Sequence, residues 1–170
     1  MQTAPRQDPG VYVTAEADKP EGDWPAGNMQ LFRDGSYIGS SEWNPQARDR
    51  LVLGFGRDEQ IHVSVIPLKT DSGSSGIIAK RRQKKIATAY SISNHHQRQV
   101  SLLVLEPTPV ATSDQVTVHT AFEPKPTRET WEDKRGVMAW EMLLAPKQTS
   151  RIKTEYEIDY PNEGDLVESH

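Results

Sequence analysis

From Lys84 to Ser93 the chain alternates. Ile86, Thr88, Tyr90 and Ile92 fall on one side, and Ala87, Ala89, Ser91 and Ser93 on the other. A repeat of two is the period of a pleated strand, whose successive side chains point to opposite faces. A polar run, Asn94-His95-His96-Gln97-Arg98, interrupts the alternation, and Val100 to Leu105 is then almost wholly apolar. Such a run suits a strand covered on both faces. Two strands about a short polar connection predict a β-hairpin, and the other strands are expected to lie against it.

The same pattern recurs along the chain. Val11, Val13 and Ala15 alternate with Tyr12 and Thr14 as a first strand, after a lead-in, Met1 to Gly10, that reads as exposed. Asp18 to Asn28 is a polar loop holding Pro20, Gly22, Pro25 and Gly27. Asp34-Gly35 sits between the alternations Met29–Arg33 and Ser36–Gly39. That dipeptide predicts a type I′ hairpin, whose central residues both need positive φ. Leu51, Leu53 and Phe55 form the next strand, Arg57-Asp58-Glu59 a turn, and Ile61, Val63 and Val65 the return strand, which Pro67 ends.

Asp71 to Gly76 is rich in glycine and serine. It marks either a subdomain boundary or the tip of a long hairpin whose second arm starts near Lys80. Beyond the prolines at 107 and 109, Val116, Val118, Thr120 and Phe122 alternate, and a polar loop runs from Glu123 to Arg135. Val137 to Leu144, with Trp140, is a further strand. Ile152, Thr154, Tyr156, Ile158 and Tyr160 then alternate with Arg151, Lys153, Glu155, Glu157 and Asp159, an apolar face backed by a charged one. From Pro161 to His170 the tail reads as frayed. No segment carries a helical period, and Trp131 to Ala139 holds one helical turn at most.

These elements predict an all-β protein, an antiparallel β-sandwich. Residues 76–170 are expected to form an immunoglobulin-like sandwich, and residues 1–75 a smaller, hairpin-rich subdomain.

Composition adds limits. Hydrophobic residues make up 35% of the chain, and the mean hydropathy is −0.70. Half-exposed strands explain that polarity, because every second position faces water. The formal net charge of −4 gives no global attraction to nucleic acid or to anionic lipid. With no cysteine, disulfides, thiol catalysis and thiolate metal sites are excluded, while the compartment stays open. No apolar run approaches the ~18 residues of a membrane span. The first ten residues hold no hydrophobic signal core.

Candidate chemistry is sparse. His95 and His96 are neighbours and point apart, so they do not chelate one metal; His62 and His119 lie on strands that could bring them together. There is no Gly-x-Ser-x-Gly elbow, and no acidic pair stands out as a glycosidase couple. The basic run Lys80, Arg81, Arg82, Lys84 and Lys85 offers a contact for phosphate or an acidic polymer, or simply a solvated strand. No aromatic residue interleaves with it, as an RNA-binding face requires. Trp140 reads as core. Trp24, Trp43 and Trp131 fall in polar loops, where indole rings cap a core edge or contact a protein or a sugar.

Six phrases, in order, resemble the mucoidy inhibitor A family. They are Leu31–Gly39, Leu53–Asp58, Tyr90–His95, Leu105–Ala111, Glu123–Thr127 and Tyr156–Pro161. Where that family has a leucine-rich loop, this chain has Trp24-Pro25-Ala26-Gly27. The resemblance implies the C-terminal conserved domain of that family, a domain of unknown function. Its full-length members add an N-terminal domain and a coiled-coil-like middle, and many are exported. The family name reflects suppression of a mucoid, exopolysaccharide-rich colony. The resemblance brings no catalytic residue and no cofactor.

The combined expectation is a non-enzymatic interaction or assembly module of a bacterial envelope protein, periplasmic or exported, with a protein partner or self-association. A cytoplasmic setting is the other option. The alternative function is a polysaccharide-binding β-sandwich using loop tryptophans. A hydrolase, the third option, needs a cleft with paired carboxylates.

Overall fold

The period-two segments form strands, and among the described residues there is no helix. The computed structural model describes residues 1–18, 21–22, 25–44, 46, 50–75 and 81–161, with side chains described outside 69–75 and 81. In chain order the strands are β1 (Gln2–Ala4), β2 (Asp8–Asp18), β3 (Gly27–Arg33), β4 (Ser36–Trp43), β5 (Arg50–Arg57), β6 (Ile61–Ser75), β7 (Arg81–Asn94), β8 (Val100–Pro107), β9 (Thr117–Glu123), β10 (Val137–Leu144) and β11 (Thr149–Pro161). The frayed tail expected beyond Pro161 lies outside the described residues.

Two sheets face each other. One has the order β10-β8-β1-β2-β5, the other β6-β7-β11-β9, and β3-β4 is a separate hairpin. Leu102 and Val104 of β8, Trp140 and Leu144 of β10 and Val11 of β2 meet Tyr90 and Ile92 of β7 and Ile152 of β11 in one buried cluster. Each strand gives its apolar phase to that interior, which makes an all-β sandwich. The β3-β4 turn has Asp34 at φ 51° and Gly35 at φ 80°, the type I′ geometry that Asp-Gly predicts.

Pairing departs from expectation in three places. First, β7 and β8 do not form a hairpin; they belong to opposite sheets. Asn94 explains the arch between them. Its amide donates to the carbonyls of Arg98 (3.1 Å), Leu144 (3.0 Å) and Ala145 (2.9 Å), and its Oδ1 accepts from the His96 amide (2.9 Å). A buried side chain that satisfies backbone from both sides turns the chain across the core and leaves no tight two-strand turn.

Second, Ile61–Val65 does not return along β5. β5 pairs with β2 and β6 with β7, so the turn at Asp58 is also a crossing. The two crossings touch. The Asp58 amide donates to the Val11 carbonyl at 2.7 Å, and the His95 amide to the Gln60 carbonyl at 2.8 Å. The Asp58 carboxylate meets His96 Nε2 at 3.0 and 3.1 Å, which locks both corners at one end of the sandwich.

Third, the lead-in is not wholly exposed: only Arg6 to Pro9 are. Gln2–Ala4 is β1, in the middle of the five-stranded sheet, antiparallel to β2 and parallel to β8. Three residues are too few to show a period, so only its neighbours reveal it.

Asp71–Ser75 belongs to β6 and pairs with β7 as far as Ser75 opposite Arg81. Each large sheet draws strands from both sides of residue 75.

Candidate functional site

On β8 the core phase is Val100, Leu102 and Val104, so Ser101 and Leu103 take the outer face of the five-stranded sheet. The connection from β9 to β10 folds over the edge beside them. The Thr127 and Arg128 amides donate to the Ala139 carbonyl at 2.9 and 3.1 Å, and the Ala139 amide donates back to the Arg128 carbonyl at 2.9 Å. The Glu141 amide donates to Thr127 Oγ1 at 2.9 Å. Glu132 and Asp133, at φ 47° and 57°, reverse the chain between Trp131 and Lys134. Both sit in the left-handed region, as a type I′ turn requires.

This loop raises one wall of a groove of about 440 Å³. Trp131 stands in that wall with the Arg128 guanidinium over its ring, 5.5 Å from the centroid. Arg128 Nη2 also reaches Glu141 Oε1 at 2.8 Å. The other wall is Arg50 and Glu16, paired at 3.1 Å. Strand order sets the walls apart, because β10 and β5 are opposite edges of the sheet. Gln2, Thr14, Ser101 and Leu103 lie between them. The groove therefore offers an indole, hydroxyls, an amide and two ion pairs. Each groove glutamate is held by an arginine, an arrangement suited to hydrogen bonding more than to proton transfer.

On the core face of β8, further along the strand from Ser101 and Leu103, is a buried carboxylate. Glu106 of β8 has no solvent exposure. It accepts from Arg6 Nε at 2.8 Å, Tyr156 OH at 2.7 Å and Tyr90 OH at 2.7 Å. Arg6 also lies over the Tyr156 ring at 4.8 Å. Tyr90 and Tyr156 come from the facing sheet and Arg6 from the β1–β2 turn, so one side chain joins both layers and the strands of the floor. The site was legible in one respect. Glu106 shares the phase of Val100, Leu102 and Val104, and a charge on the core phase of a strand requires partners.

Burial, then the Glu106 charge, pushes the hydroxyls of Tyr90 and Tyr156 far above the usual tyrosine value. The folded state thus favours their neutral forms. Its advantage is complete below the ordinary tyrosine pKa of ~10 and fades as pH rises past it. In an ultraviolet titration of the five tyrosines, Tyr90 and Tyr156 are expected to ionise only as the β-sheet circular dichroism is lost. Complete phenolate absorbance with the sheet signal intact contradicts their burial against Glu106.

The other candidates are scattered. Trp24 and Lys80 lie outside the described residues. Trp43 is the last residue of β4, not a loop residue, and among the described residues it makes no ring contact with Trp131. Of the basic run, Arg81 opens β7, Arg82 and Lys84 take one face of that strand, and Lys85 takes the other. β7 lies between β6 and β11. Lys85 pairs with Glu157 at 2.9 Å, and it lines a shallow depression of about 290 Å³ with His119 and Glu155. His62 and His119 do not meet: β6 and β9 are opposite edges of one sheet. His62 packs instead on His95, with ring centroids 4.7 Å apart. Among the described residues no group of three or more His, Cys, Asp or Glu is placed to hold a metal ion, and no helix is long and apolar enough to cross a membrane.

Residues 4–162 match the family described as Domain of unknown function (DUF4139). No curated protein and no solved structure gives a significant match.

Proposed function

The chain belongs to the DUF4139 family of domains of unknown function, and from that premise we propose that it is a non-enzymatic interaction module working by strand addition at β6. The observation that carries this reading is the free edge of β6. Among the described residues it pairs with β7 alone and is the outer strand of its sheet. Every second backbone N–H and C=O of such a strand points away from its neighbour. Exposed edges are normally guarded by charge, yet Ile61 to Leu68 contains no Lys, Arg, Asp or Glu. Val65, Ile66 and Leu68 are 41%, 40% and 38% exposed.

Among the described residues the other edges differ. β10 is covered at Ala139 by the loop, Arg33 bonds to the Phe55 carbonyl of β5 at 3.0 Å, and β9 carries His119 and Glu123. Pro67 and the bulge between Pro67 and Lys69 confine an added strand to the stretch before them. A partner segment or a second copy pairing there is the mode of assembly proposed. A bacterial envelope setting and kinship with mucoidy inhibitor A are part of this proposal, supported by the six sequence phrases.

Ile66→Lys places a charge on the edge, on the face of β6 opposite the core-facing Ile61 and Val63. Sedimentation velocity and capture from an envelope fraction are expected to show association by the native protein and its loss in the variant. A native protein that stays monomeric and retains no partner contradicts the proposal, as does a variant that associates as before.

A further inference from the structure

We propose that the Trp131 groove is a binding site for a neutral saccharide. It lies on the sheet that does not contain β6, so the inference stands apart from strand addition. Three properties of the groove point to this ligand class.

The first is the mixture of surfaces. A pyranose has a flat C–H face that packs on an aromatic ring and a rim of hydroxyls that both donate and accept. Trp131 and Leu103 supply the apolar contact, and Arg50, Arg128, Glu16, Glu141, Thr14 and Gln2 supply donors and acceptors. The second is charge. The two arginines and two glutamates cancel, each pair closed at 3.1 Å or less, and the Met1 ammonium in the same lining is offset by Asp18, 3.7 Å from Arg50. An anionic polymer therefore gains no net attraction, while a neutral hydroxyl-rich chain finds planar polar groups on both walls. The third is preparation. Arg128 is held by Glu141 and stacked on Trp131, and its backbone is tied to Ala139. Little side-chain freedom is left to lose when a ligand arrives.

A groove open along the sheet suits an internal stretch of a glycan more than a single terminal sugar. Its volume of about 440 Å³ falls in the range of sites for small ligands.

Isothermal titration calorimetry with cellohexaose, maltohexaose and tetragalacturonate tests this directly on the native chain and on Trp131→Ala. At least one neutral hexasaccharide is expected to bind. The variant is expected to bind it about tenfold or more weakly, the loss expected of an aromatic contact, with an unchanged melting temperature. Arg50→Ala, on the opposite wall, is expected to weaken the same sugar. No binding of either neutral hexasaccharide up to millimolar concentration overturns the proposal. So does tighter binding of the acidic tetramer, or neutral-sugar binding that neither substitution alters.

Discussion

Arg6→Ala is expected to cost about 3 kcal/mol of stability, with urea unfolding as the measurement. Among the described residues Arg6 is the one guanidinium on Glu106, at 2.8 Å, and Glu106 is wholly buried. Removing the cation leaves an anion in the interior with two phenols for partners, and breaking a buried pair in this way costs roughly 3–5 kcal/mol. Arg6 is itself a third exposed, so water follows the truncated side chain inward and places the loss at the lower end. Glu106→Gln is expected to be milder, about 1–2 kcal/mol, because its amide oxygen still accepts from a tyrosine. An Arg6→Ala protein as stable as the native one shows that the carboxylate does not depend on the pair.

Trp140→Ala is expected to cost about 3–5 kcal/mol. Trp140 is 2% exposed, lies edge-on to Phe122 at 5.6 Å and donates from Nε1 to the Pro124 carbonyl at 2.9 Å. The substitution opens a cavity between the sheets and leaves that carbonyl without its donor. Pro124 begins the connection that carries Trp131, so the same change is expected to loosen the groove wall. Trp140→Phe keeps most of the ring and should lose less, mainly the Nε1 bond. A loss below about 1 kcal/mol for Trp140→Ala places the indole outside the core.

Strands were legible where alternation was long. Val137–Leu144 and Ile152–Tyr160 could be read because one phase is apolar over many residues, and Asp34-Gly35 because its turn chemistry is local. Partners were not legible. An arch and a hairpin share the same sequence signature: apolar strand, short polar run, apolar strand. What separates them here is the side chain of Asn94, whose three carbonyl acceptors lie at Arg98, Leu144 and Ala145. Asp58 and His96, 38 residues apart, carry no mutual signal in the sequence.

The site followed the same logic. Trp131 could be nominated from its polar surroundings, but the groove around it also needs Gln2 and Thr14, Arg50 and Glu16. Strand order alone brings these to one face. Glu106 was visible as a charge in the core phase of β8, one residue past the apolar run Val100 to Leu105, and was given no role of its own. Its position ties function to stability. Arg6 connects β1 to β2, and Glu106 lies on β8, so the buried pair fixes the strands that floor the groove relative to one another.

A double-mutant cycle on Arg6 and Glu106, read by urea unfolding, tests that joint most directly. If the carboxylate charge is what Arg6 holds in place, Arg6→Ala should cost far less in the Glu106→Gln background than in the native protein, with a coupling above about 1 kcal/mol. Additive losses, within about 0.5 kcal/mol, would mean that the two residues act independently and that no shared charge ties the β1–β2 turn to β8.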